Sequence, residues 1–246
     1  MFNTNPFQSN RSRNWFEVEW FLYNLKFKKE FSKKTNFIFS FFGLEAKRNS
    51  LGFRTNRVSQ IDSGEERDLI KGDFSNFGFE SRLLTNYKLL NTKSYFLIGL
   101  KYYKSNSSST QGPGSSDSDA NFNFQNSFYP NYTNQSNYIY PNQNIALFGE
   151  NIFYLNDKIS ITPGFRYENI ITKSDGFYRK INLDGAGNVI FNERFDEINE
   201  KKRSFILLGL GFSYKFNRNI EMYSNVSQNY RSVTFADIST INPAYA

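Results

Sequence analysis

Residues 144–169 read NIALFGENIFYLNDKISITPGFRYEN. Two apolar-rich runs flank the short polar turn Leu155-Asn156-Asp157-Lys158. In the second run Ile159, Ile161, Pro163, Phe165 and Tyr167 alternate with Ser160, Thr162, Gly164, Arg166 and Glu168. Successive side chains of a strand point to opposite faces, so one face is greasy and the other is small, polar or charged. A half-buried strand of a soluble sheet alternates in the same way. The rest of the chain separates the two readings, because it repeats this hairpin.

A first hairpin covers about residues 14–47. Phe16, Val18, Trp20 and Leu22 alternate with Glu17, Glu19, Phe21 and Tyr23, and the turn is Ser32-Lys33-Lys34-Thr35. The alternation blurs over residues 22–27, where a bulge or phase shift is expected. A second hairpin covers residues 73–104, with its turn at Leu90-Asn91-Thr92-Lys93. A fourth has Ile206, Leu208, Leu210, Phe212 and Tyr214 facing one way and a turn at Phe216-Asn217-Arg218-Asn219. The turns at Lys33, Asn91, Asn156 and Asn217 recur about 60 residues apart with unlike sequence between them, a repeat of architecture. Long polar segments join the hairpins at the other end. They are residues 48–72, rich in Arg; 105–143, opening on the low-complexity SNSSSTQGPGSSDSDA; and 172–202. A small hairpin around Asp184-Gly185-Ala186-Gly187-Asn188 is expected within the last. Residues 115–119 read as a mobile loop tip.

Composition narrows the function classes. Aromatic residues make up 19% of the 246, with Phe 28 and Tyr 16, which argues against disorder and for strands. No apolar run reaches the ~18–20 residues of a membrane-spanning helix. The chain has no Cys, which removes disulfides and thiolate metal sites, and no His, which removes most hydrolase triads and the commonest metal ligand. The net charge of +7 is spread along strands and loops rather than gathered in one run, so nucleic acid is not an expected partner. The start, MFNTNPFQSN, has neither a basic nor an apolar signal region, so for an exported protein this stretch is expected to be an internal piece of something longer or a truncated reading frame.

Short turns at one end, long loops at the other and alternating strands form the pattern of an outer-membrane β-barrel. The fold class expected is all-β: an antiparallel transmembrane barrel segment of about eight strands, with short periplasmic turns and long extracellular loops. The lumen face would take Glu80, Arg82, Lys88, Lys101, Arg166 and Lys215. Tyr87, Phe153, Tyr154, Tyr214 and Phe216 would form the interfacial aromatic girdle. Two alternatives share the alternation: a closed, passive eight-stranded barrel or porin, and a secreted β-sandwich adhesin.

The segment ALFGENIFYLNDKISITPGFRYE (residues 146–168) resembles the mid-barrel part of TonB-dependent outer-membrane receptors. RSRNWF (11–16), FGLEAKRNSLGFR (42–54), KYYKSN (101–106) and YSNVSQNYRSVTFADI (223–238) resemble the ferric dicitrate branch of that family. The resemblance implies a plugged barrel of about 22 strands in the bacterial outer membrane. It implies import of ferric citrate or a similar anionic iron chelate, driven by the TonB complex. Residues 1–246 would be part of the barrel domain, with the plug and the remaining strands absent. The expected partners are the ferric chelate, TonB through the missing plug region, and membrane lipid with lipopolysaccharide. No cofactor is expected, iron entering only as part of the transported chelate.

Arginine is the natural ligand for such a chelate, because its planar fork meets carboxylates bidentately. Loop arginines contact the chelate in the resembled receptors, so Arg48, Arg54 and Arg57 are the candidate ligand-binding residues, with Arg67 in the same segment. The alternative is that they are solvated charges or bind lipopolysaccharide phosphates. No catalytic residues are expected. Glu17 and Glu19 share a strand face and would line the lumen rather than act as an acid–base pair. Asp184 lacks the ligand spacing of a calcium loop and reads as a turn former.

Overall fold

The computed structural model of the chain describes residues 11–53, 60–89 and 91–230. These form one eight-stranded sheet in which each strand pairs antiparallel with the next: β1 (Trp15–Ser32), β2 (Thr35–Gly52), β3 (Asp68–Leu89), β4 (Thr92–Pro113), β5 (Gln135–Tyr154), β6 (Ile159–Leu183), β7 (Val189–Lys215) and β8 (Glu221–Ser227). Among the described residues β1 pairs only with β2 and β8 only with β7, so the sheet is an open arc. The closed eight-stranded alternative is thereby excluded for this arc, since a barrel requires its first and last strands to bond.

The short turns are fixed locally by small polar side chains. Ser32 Oγ accepts from the backbone of Lys34 and Thr35. Asn156 Oδ1 accepts from Lys158 and Ile159, and Asn217 Oδ1 from Asn219 and Ile220. Asn91 adopts a φ of 63°, a conformation Asn tolerates better than most residues.

The strands exceed the expected lengths, because the extracellular halves of the hairpins are themselves strand. β4 runs through the serine-rich stretch to Pro113, paired on both sides. Ser105 and Ser107 are buried rather than part of a flexible loop. A polar, small-residue run can be strand wherever both neighbours take its backbone bonds. The expected small hairpin near Asp184 is the tip of one continuous ladder from Ile159↔Tyr214 to Leu183↔Val189.

Antiparallel partners share a face, so the registers sort the side chains. One face carries Phe39, Phe41, Phe77, Phe79, Leu100, Ile145, Leu147, Phe165, Tyr167, Ile206, Leu208 and Leu210. The other carries all six expected lumen charges. Above the apolar band the outer face turns polar: Phe77 gives way to Ser75 and Asp73, Tyr102 to Lys104, Tyr167 to Asn169 and Lys173, Ile206 to Ser204 and Lys202. Phe77 already pairs with Lys104, and Ile145 with Asn169. The boundary therefore steps from β3 to β4 and from β5 to β6 and stays level from β4 to β5 and from β6 to β7, a net slant that fits strands tilted against a bilayer plane.

β1 departs from expectation. Its register with β2 is continuous from Trp15↔Leu51 to Glu30↔Asn36, so no bulge lies at residues 22–27. The apolar series changes face instead. Tyr23, Leu25 and Phe27 point outward with Phe41 and Phe39, whereas Phe16, Val18, Trp20 and Leu22 share the polar, lumen-side face. Glu17 and Glu19 consequently lie on the outer face, above the band, opposite Asn49 and Lys47. They do not line the lumen.

Candidate ligand-binding site

At the level of the apolar band, two lumen-face arginines are paired within the wall. Arg82 meets Glu80 at 2.5 Å, and Arg166 bonds to Glu168. Both guanidinium groups also lie over the ring of Phe148, at 5.9 and 5.3 Å. That ring covers Gly99, where an added Cβ would come within 2.4 Å of it. Glycine is thus required for the ring to lie flat between the two arginines. These cations are committed to the wall.

Arg48 is placed differently. It lies in β2 rather than in a loop, above the band and on the lumen-side face, with Val18 and Gly72 as its cross-strand partners. Its guanidinium rests 5.5 Å from the ring centre of Phe74 and is exposed. Among the described residues it has no acidic partner. Neighbouring rows of the same face hold Phe16, Ser50 and Ile70 on one side and Trp20, Ala46, Phe74, Ser107 and Tyr140 on the other. An unpaired guanidinium supported on an aromatic ring can take a carboxylate or other oxyanion in its fork. Arg54 and Arg57 lie outside the described residues.

Arg67, the remaining arginine of that segment, is fully buried and structural. It donates from Nε to Ser115 O at 2.9 Å, from one terminal nitrogen to the carbonyls of Arg13 (3.0 Å) and Asp119 (2.7 Å), and from the other to Ser115 Oγ at 2.7 Å. Arg13 bonds Asp62 bidentately and reaches Ser116 O at 2.5 Å and Glu65 O at 3.1 Å. Residues 11–14, 60–67 and 113–119 are thereby clamped together, and 115–119 is an anchored segment rather than a mobile tip. The hydrogen bond from Arg13 holds the Asp62 carboxyl below the usual carboxylate range, while burial lowers Arg67 from the usual guanidinium value. Beside this clamp, Asp68 accepts from Gln111 Nε2 and from the Tyr132 hydroxyl at 2.8 Å. Burial, then the Asp68 charge, pushes that phenol upward. Sequence offered no signal for the clamp, since a buried and a solvated loop arginine read alike.

A family described as TonB dependent receptor-like, beta-barrel, matches residues 2–245. The chain belongs to that family. Receptors of this family are transporters rather than enzymes, and the family is one of the bacterial outer membrane. Among solved structures, the chain is similar to the ferric citrate transporter FecA in its unliganded form, at 15% identity and a TM-score of 0.69 over 96% of this chain and 31% of that one. It is similar to the ferric yersiniabactin uptake receptor FyuA from Yersinia pestis, at 11% identity and a TM-score of 0.61 over 86% of this chain and 28% of that one. It is also similar to the ferric-catecholate import receptor Fiu from E. coli, at 10% identity and a TM-score of 0.64 over 92% and 36%. At these identities the likeness is one of fold. The chain spans about a third of the length of these receptors. No curated protein matches it.

Proposed function

We propose that this chain is a piece of the barrel wall of an outer-membrane receptor that imports an anionic ferric chelate, ferric citrate or one like it. Arg48, Arg54 and Arg57 are the residues assigned to the chelate. The observation that carries the reading is Arg48: an exposed guanidinium on the lumen-side face above the apolar band, propped on Phe74, with no acidic partner among the described residues. The luminal arginines at the level of the apolar band, Arg82 and Arg166, are by contrast each neutralised by a carboxylate. The plug and the contact with the TonB complex belong, on this reading, to other parts of the receptor. Iron enters as cargo within the chelate, with no resident cofactor. Lipid and lipopolysaccharide meet the outer apolar face and the polar rim above it.

The test is a binding titration on the intact receptor with ferric citrate. Arg48→Ala combined with Arg54→Ala is expected to weaken binding by tenfold or more, the loss of charge-assisted hydrogen bonds. Unchanged affinity would remove both residues from the site.

A further inference from the structure

We propose that the turn end of β1 and β2 binds an anionic phospholipid of the leaflet into which the short turns point. Lys29, Lys33 and Lys34 meet its phosphate, and Phe27, Phe31 and Phe37 lie along its acyl chains. The site belongs to the outer face of the wall, so it is independent of which chelate the receptor carries.

The starting observation is a concentration of charge. Residues 26–34 read KFKKEFSKK, five lysines against one acid. That acid, Glu30, pairs with Lys28 at 3.3 Å. Among the described residues no carboxylate meets Lys29, Lys33 or Lys34, and all three are exposed. The register puts Lys26 and Lys28 on the lumen side and Lys29 on the outer face, opposite Phe37. Its neighbours along that face are Phe27 and Phe31, 55 and 64% exposed, and the Phe31 ring lies 6.1 Å from that of Phe37. The outer face looks away from the lumen, so neither a plug nor the strands that close the barrel would cover it. A lysine between two phenylalanines on a lipid-facing strand is tolerated near the strand end, where its ammonium reaches the head groups and its stem stays along the rings. Ser32 ends β1 three positions later.

The turn that carries Lys33 and Lys34 is held in place. The Lys34 carbonyl accepts from the backbone N–H of Asn86 at 3.0 Å and from its Nδ2 at 3.2 Å, and the hydroxyls of Thr35 and Thr85 bond at 2.9 Å. The two lysines therefore stand on a turn bonded to the next hairpin. At the end of that hairpin Lys88 and Lys93 lie directly opposite each other and add positive potential from the inner face. Like charges so placed repel, and a nearby anion relieves them. The other two turn ends are closer to balance, with Lys158, Lys215 and Arg218 against Asp157 and Glu221. Unpaired ammonium groups beside exposed rings match an amphiphile with an anionic head. A cell-wall polymer or a soluble acidic protein would use the lysines and have no use for the rings.

The probes are dioleoylphosphatidylglycerol and dioleoylphosphatidylethanolamine, titrated into the delipidated intact receptor in neutral detergent and counted by native mass spectrometry. The first phosphatidylglycerol is expected to bind about tenfold more tightly than phosphatidylethanolamine. Lys29→Gln with Lys33→Gln and Lys34→Gln should bring the two lipids within about twofold of each other. Arginine at the same three positions should keep the preference, which controls for folding. Lys26→Gln with Lys28→Gln, on the lumen side, should keep it too. Glycerol 3-phosphate in excess should fail to displace the lipid, because it has no chains to lay on the rings. Displacement by it would assign the lysines to free phosphate and overturn the lipid site. Absence of a preference in the wild type, or a preference that survives the triple glutamine variant, overturns it as well. So does lysine-dependent co-sedimentation with purified peptidoglycan that phosphatidylglycerol does not compete, which would assign these lysines to the cell wall.

Discussion

β1 and β7 leave the apolar band in opposite ways. On β7 the outward series Tyr214, Phe212, Leu210, Leu208, Ile206 ends, and the outer face continues as Ser204, Lys202 and Glu200. On its lumen-side face near the tip, Phe191 stacks on Phe195 and Phe195 on Tyr178. On β1 the apolar series crosses to the inner face, at unbroken register. The far ends differ too. The β6–β7 turn closes on itself, Asp184 Oδ1 accepting from Ala186 and Asn188, whereas the start of β1 is tied to two other segments through Arg13 and Arg67. Lipid dictates which face is apolar only as far as the bilayer reaches. Beyond it, whatever touches the strand next decides. For the outer face of β7 that is water, and for the inner face of β1 it is the interior of the receptor mouth.

The largest effect should come from removing the clamp that only β1 has. Arg67→Ala leaves the carbonyls of Arg13 and Asp119 and the Ser115 hydroxyl without their guanidinium donor, while Ser115 O keeps only the backbone N–H of residue 67, costing about 2–4 kcal/mol of local stability. Limited proteolysis should then cut within residues 60–67 and 113–119 while the β6–β7 tip stays as resistant as before. Equal protection in wild type and variant would mean that the loops hold together without Arg67.

Next in size is the bilayer boundary along β7 itself. Leu210 and Ile198 lie on the same face, on either side of the switch. Leu210→Arg should cost about 2–4 kcal/mol near the bilayer centre, and Ile198→Arg no more than about 0.5 kcal/mol in water. Urea unfolding in lipid vesicles reads both. Similar penalties at the two sites would place the boundary elsewhere.

The sheet, its order and its lumen charges were legible because alternation and short polar turns are local signals. The strand ends above the bilayer were not. Ser105 to Gln111 carries no apolar alternation and is strand only because β3 and β5 bond it on both sides. The blur at residues 22–27 was a real signal with two readings, a bulge or a change of apolar face, and only the register separates them. Of the candidate arginines, Arg48 lies in a strand with its face fixed by register. Arg67 was indistinguishable from it in sequence, because burial of a guanidinium depends on carbonyls from segments 48–54 residues away.

A smaller effect follows from pH at the β1 end. The hydrogen bond from Arg13 depresses the Asp62 carboxyl, so its contribution to the clamp is complete above the unfolded carboxylate range, about pH 4, and is lost as pH falls through the lower folded value. Protease protection of residues 60–67, followed with an acid-tolerant protease, should hold flat from pH 7 to about pH 4.5 and fall below that. The β6–β7 tip should show no change tied to Asp62. Asp62→Asn should remove the acid step. An unchanged step in that variant would assign it to another carboxylate, Glu65 being the other acidic residue whose charge acts on Arg13.

The smallest effect belongs to the polar outer rim of β6–β7. There Lys173 meets Glu200 at 2.5 Å, and Lys202 meets the same carboxylate at 2.7 Å. The two lysines remain 45 and 70% exposed. Exposed pairs of this kind are screened by water and salt and contribute little. Lys173→Ala should therefore leave the urea midpoint in vesicles unchanged, with or without added salt, because Lys202 still faces Glu200. The same substitution would be strongly felt if this face lay in hydrocarbon, where removing one cation leaves a carboxylate poorly compensated in a medium that cannot solvate it. A large loss would thus move the bilayer boundary up past Lys173. It would also remove the reason for treating the inward turn of the β1 apolar series as a feature of the mouth, because both strands would then still be inside the membrane at that height.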